Sequence, residues 1–73
     1  MSKTISVSGV RILAEKGQTW NFVRQLVNQR DWLQANYCFM SEESFALTLA
    51  EHCKAVCYYD EDSNAYIFTY VGI

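Results

Sequence analysis

Two strand-like runs, Ala55–Tyr59 and Ala65–Val71, flank the acidic stretch Asp60-Glu61-Asp62-Ser63-Asn64, and this arrangement constrains the fold more than any other feature of the chain. Residues such as Val, Ile, Tyr and Phe suit a pleated, half-buried surface. Asp, Ser and Asn between them supply turn chemistry, since their side chains bond to nearby backbone and Asn tolerates left-handed geometry. The two runs therefore read as a C-terminal hairpin. Pairing outward from the turn sets Tyr59 opposite Tyr66 and Cys57 opposite Phe68 on one face, with Tyr58 opposite Ile67 on the other. Tyr66, Phe68 and Tyr70 point one way and Ile67 and Val71 the other, so the hairpin is apolar on both faces and one set should lie away from the helices.

The rest of the chain supplies the elements that cover the other set. In TISVSGVRILA, residues 4–14, Ile5 and Val7 alternate with Ser6 and Ser8, the period of a half-buried strand. Val10 and Ile12 resume on the other parity after Gly9, which predicts a bulge there or a tight turn that splits the segment into two short strands. Thr19 is placed to cap a helix whose stripe is Phe22, Val23, Leu26, Val27 and Leu33. Asp31-Trp32-Leu33-Gln34 has the form of a fresh capping box, so that helix is expected to break near Arg30 and restart. Ser41 caps a second helix, with Glu42 and Glu43 in its first turn and Phe45, Ala46, Leu49, Ala50 and Cys53 on its buried stripe. The expected fold is α+β: one small antiparallel three-stranded sheet in the order β-α-α-β-β, with the helices packed on one face and a C-terminal hairpin.

A chain of 73 residues has room for one domain, residues 1–73, which buries only roughly 60% of its unfolded surface and has little depth for an enclosed pocket. It is 51% hydrophobic and lacks proline, which favours a packed globule over disorder. No apolar stretch approaches the roughly 20 residues of a membrane span, and no apolar core of a signal peptide follows Lys3. Three cysteines, an odd number, suit a reducing compartment, so a cytoplasmic location is expected.

Charge divides the chain in two. Residues 1–37 carry Lys3, Arg11, Lys16, Arg24 and Arg30 against Glu15 and Asp31; residues 38–73 carry Lys54 against Glu42, Glu43, Glu51, Asp60, Glu61 and Asp62. Either the halves attract each other within the fold, or the acidic half presents a patch to a basic partner.

Four chemistries compete for these residues. Asp60, Asp62 and Asn64, with Ile67, resemble positions 1, 3, 5 and 8 of an EF-hand calcium loop, but Ala65 stands where the loop needs glycine and Val71 where it needs its bidentate glutamate. Cys53 and Cys57 have a spacing seen in structural zinc sites, and Cys38 and His52 would complete four ligands; His52 and Cys53 are helix neighbours pointing about 100° apart, which opposes it. For catalysis, His52 is the sole histidine, Glu42 and Glu43 diverge on a helix, and Gly9, Gly17 and Gly72 are isolated and form no phosphate loop, so neither an enzyme nor a cofactor is expected. A strand, two helices and a hairpin also resemble, in element order alone, the latter part of winged-helix domains, whose second helix reads the major groove. The corresponding helix here carries three glutamates and the hairpin tip is Asp-Glu-Asp, both repelled by phosphate.

The expectation is therefore a small non-enzymatic protein-binding module that docks through an aromatic hairpin face and an acidic loop: Tyr58, Tyr59, Asp60, Glu61, Asp62, Tyr66, Phe68 and Tyr70. Its partner is expected to be another protein, a nucleic-acid enzyme with a basic groove being one kind that suits acidic residues, or a second copy of the chain as a homodimer. A winged-helix-like DNA-associated regulator is the alternative, and a structural metal-binding domain the third reading.

Overall fold

The computed structural model describes residues 5–72; Lys3 of the basic half and Thr4, the start of the expected first strand, lie outside the described residues. The fold is a small α+β arrangement of two helices and a three-stranded sheet. Its elements are β1 (Ile12–Ala14), α1 (Trp20–Asn36), α2 (Glu42–His52), β2 (Ala55–Asp60) and β3 (Ala65–Tyr70), with a 3-10 turn over Val7–Gly9 before them. The element order is as expected; the all-antiparallel sheet is not. The strand order is β1-β3-β2, with β2 antiparallel to β3 but β1 parallel to it. The hairpin reverses the chain once, so its second strand takes the central place and runs alongside β1. A parallel pair needs a long crossover, and α1 and α2 supply it.

The N-terminal segment departs from the expected strand for a local reason. Gly9 N donates to Ser6 O and Val10 N to Val7 O, both at 3.1 Å, while the Ser6 and Ser8 hydroxyls bond to each other at 2.8 Å. In a 3-10 turn residues three apart eclipse, and Val7 and Val10 are accordingly both buried. The parity slip at Gly9 thus marks a tight turn, and strand geometry begins only at Ile12.

Helix α1 also differs from expectation: it runs unbroken through Arg30 to Asn36. Thr19 Oγ1 accepts from Phe22 N at 3.2 Å, as the cap position predicts. Phe22, Leu26 and Leu33 are all buried, so one stripe persists across the expected break and holds the second half of the helix to the core. The Asp31 carboxylate pairs with Arg30 at 3.2 Å in place of capping a new start.

Helix α2 follows its sequence closely. Ser41 Oγ accepts from Ser44 N at 3.1 Å, and Phe45, Ala46, Leu49, Ala50 and Cys53 are buried. Lys54, at φ +54°, turns the chain from the helix into β2; left-handed geometry at this position is the common way to end a helix, although glycine is its usual occupant. The core joins these side chains to Phe39 and to Phe68 of β3, with Ile12, Ala14, Ala55, Cys57 and Tyr66 packed against it. Full burial of a side chain such as Phe45 or Phe68 contributes about 1.5–3 kcal/mol.

Candidate functional site

Alternation along the strands divides the candidate aromatic residues between two faces. The strand register has Tyr59 opposite Tyr66, Cys57 opposite Phe68 and Tyr58 opposite Ile67, as the hairpin pattern predicts. Tyr66 and Cys57 pack against the core and Phe68 lies within it. Phe68 is 0% exposed, which corrects its place among the docking residues: it anchors the core and nothing outside can touch it. Tyr59 and Tyr70 share its parity. Of the aromatic residues named from the sequence, Tyr58 alone points to the opposite face, so the eight residues do not form one surface.

On Tyr58's face, a row crosses all three strands. Leu13 of β1, Ile67 of β3 and Tyr58 of β2 stand side by side, with Val56 opposite Thr69 in the next rung. Ile67 is 8% exposed, yet it is not part of the core cluster. Side chains directly opposite across strands lie within contact range, and Leu13 and Tyr58 flank Ile67 on either side. They are themselves 37% and 54% exposed, and Val56 is equally open. The result is an apolar strip with a buried midline and solvent-facing flanks.

Near the hairpin tip on the other face, Tyr59 and Tyr66 meet edge to face with centroids 5.1 Å apart. Together with Gly9, Arg11, Glu42 and Asn64 they line a cleft of about 230 Å³. Burial, and then the Glu42 and Glu43 carboxylates, push the Tyr66 phenol up from its ordinary range. Tyr70 lies at the far end of the strand, tilted against Phe22 at 5.6 Å, in a separate cleft of about 220 Å³ with Thr19, Asn21 and Gln25.

The acidic tip is built as a turn. Ser63 Oγ donates to Asp60 Oδ2 at 2.7 Å, the Tyr59 hydroxyl bonds to Asn64 Oδ1, and Asn64 sits at φ +55°. Asp60 and Ala65 are the last paired rung of the hairpin. Two of the three calcium-like positions are therefore engaged within the turn, and Ala65, in the place of the loop glycine, is a buried strand residue. Glu61 and Asp62 remain exposed at the end.

The thiols are dispersed. Cys38 is exposed, Cys57 half-buried and Cys53 buried beneath α1, with its Sγ 3.9 Å from Gln25 O. Burial pushes the Cys53 thiol up to about 11. The His52 ring lies 5.7 Å from Trp32. Among the described residues, no three His, Cys, Asp or Glu side chains gather as metal ligands, and Arg30–Asp31 is the one ion pair. The opposite charges of the two halves are thus not clamped together by ion pairs among these residues.

Two features of the surface were missed in the sequence. Leu13 belongs to the open strip, although its parity opposite Ile12 was visible; what was hidden was that β1 would lie beside β3. Trp32, Tyr37 and His52 form an exposed aromatic group, Trp32 lying 5.5 Å from Tyr37. No helix among the described residues is long and apolar enough to cross a membrane. No protein-family model, curated protein or solved structure matches the chain.

Proposed function

We propose that the protein is a non-enzymatic protein-binding module that docks through the strip Leu13–Ile67–Tyr58 and the adjoining Val56, both helices lying on the opposite face of the sheet. The observation that carries this reading is the place of Ile67: 8% exposed, outside the core cluster, and set between the exposed Leu13 and Tyr58 on one sheet face. An apolar patch of this kind, anchored by an aromatic ring and rimmed by polar residues, has the make-up of an interface centre. Glu61 and Asp62 at the tip, with Asp60 beside them, provide an acidic rim. The partner is accordingly a protein with an apolar ridge next to basic side chains, which the rim steers into register.

The test is affinity capture from host lysate with the wild-type protein and a Leu13→Asp/Tyr58→Asp variant side by side. Loss of a specific partner in the variant, with an unchanged circular dichroism spectrum, supports the reading. Equal capture by both forms refutes it.

A further inference from the structure

The sheet ends on an open edge at β2. Val71 N donates to Lys54 O at 3.0 Å, so antiparallel alternation turns the amides and carbonyls of Val56, Tyr58 and Asp60 towards β3. The other side of β3 agrees, since Tyr66 N donates to Arg11 O and Glu15 N to Phe68 O, both at 2.9 Å. Ala55, Cys57 and Tyr59 therefore turn their N–H and C=O groups away from the sheet, and among the described residues no hydrogen bond reaches those groups. A regular strand with such a row of free donors and acceptors is a template for another strand.

We propose that β2 pairs antiparallel with the β2 of a second copy of this chain, about a two-fold axis at Cys57. This register places Ala55 opposite the partner's Tyr59 and Cys57 opposite the partner's Cys57, so every outward-facing group of the three residues enters the new ladder. Moving the axis to Tyr58 would set Ala55 against the partner's turn and leave its groups unmatched. The side chains fit the same register. Val56 comes to lie opposite the partner's Tyr58 on the outer face, joining apolar to aromatic. Lys54, the one Lys or Arg of residues 38–73, stands just before β2 in left-handed backbone and comes to the end of the seam beside the partner's Asp60, and two-fold symmetry repeats that opposite-charge pair at the other end. The pairing uses the edge and leaves the Leu13–Ile67–Tyr58 strip open, so it extends the docking surface across two copies without replacing it.

Sedimentation velocity of the full chain over a wide concentration range tests the pairing. The wild-type protein is expected to form a dimer that grows with concentration. Lys54→Glu and Asp60→Lys should each weaken the dimer about tenfold by setting like charges beside each other, and the double variant, which restores opposite charges, should recover it. A strict monomer at every concentration, or a dimer indifferent to both single substitutions, overturns the proposal. So does a dimer lost only on Leu13→Asp, since Leu13 lies on the strip but away from the β2 edge, and its loss would place the contact on the face and not the edge. Capture of a different protein by the strip succeeds or fails independently of these outcomes.

Discussion

Tyr58 and Ile67 stand directly opposite each other on the outer face of the sheet, and the first is 54% exposed while the second is 8% exposed. Their neighbour Phe68, one residue along, turns to the other face and is fully buried. The same hairpin thus holds a residue that stability depends on strongly next to residues on which it depends less. Tyr58→Asp should lower the unfolding free energy by about 1–2 kcal/mol, through lost strand preference and the lost pairing with Ile67, whereas Phe68→Ala should cost about 3–5 kcal/mol. Stabilities of small domains are commonly only about 5–15 kcal/mol, so thermal melts of the two variants should differ plainly.

Lys54 occupies left-handed backbone at φ +54° where the helix gives way to β2. A side chain there bears a steric cost of about 1–2 kcal/mol that glycine escapes, offset in part by the greater freedom of glycine in the unfolded chain. Lys54→Gly is expected to stabilise the monomer by about 0.5 kcal/mol, measured by urea denaturation at low protein concentration.

The alkaline limb of stability has a defined sign. The Cys53 thiol is pushed from an ordinary value of 9.0 up to about 11 by burial. The unfolded chain releases this proton first, so the stabilising contribution is complete below about pH 9 and is lost as pH rises towards about 11. Cys57, raised by burial and by Glu43, and Tyr66, raised by burial and by Glu42 and Glu43, act in the same direction. Denaturation midpoints measured at pH steps across this window should fall, and Cys53→Ala should flatten the decline.

The three thiols should separate kinetically, because the thiolate is the reactive form and must be reachable. Cys38 is exposed, Cys57 half-buried and Cys53 buried. With a chromogenic disulfide reagent in native conditions, Cys38 is expected to react first, Cys57 more slowly and Cys53 only when the chain unfolds. Rapid release of all three would contradict the packing of α2 against α1.

Much of this fold was legible in local pattern. The caps at Thr19 and Ser41, the stripe from Phe45 to Cys53 and the rung-by-rung register of the hairpin follow from short-range rules, and each appears in the structure. What the pattern left open were long-range facts. Ile12 and Leu13 have visible parity, but only the pairing of β1 with β3 places Leu13 beside Ile67. The continuity of α1 was hidden because the capping pattern at Asp31 is local, whereas Leu33 is held by tertiary burial. Phe68 looked like a surface aromatic for the same reason: a hairpin apolar on both faces does not say which face the helices will cover.

The proposed docking through the outer strip is most directly tested by a dissociation constant. With a captured partner purified, calorimetric titration should compare the wild-type protein with Tyr58→Asp, and with Trp32→Ser/Tyr37→Ser as a control at the helical end of the molecule. The strip predicts a loss of at least about tenfold for Tyr58→Asp, the result of placing a charge at an interface anchor, and little change for the control. Unchanged affinity for Tyr58→Asp, with affinity lost in the control, would contradict it.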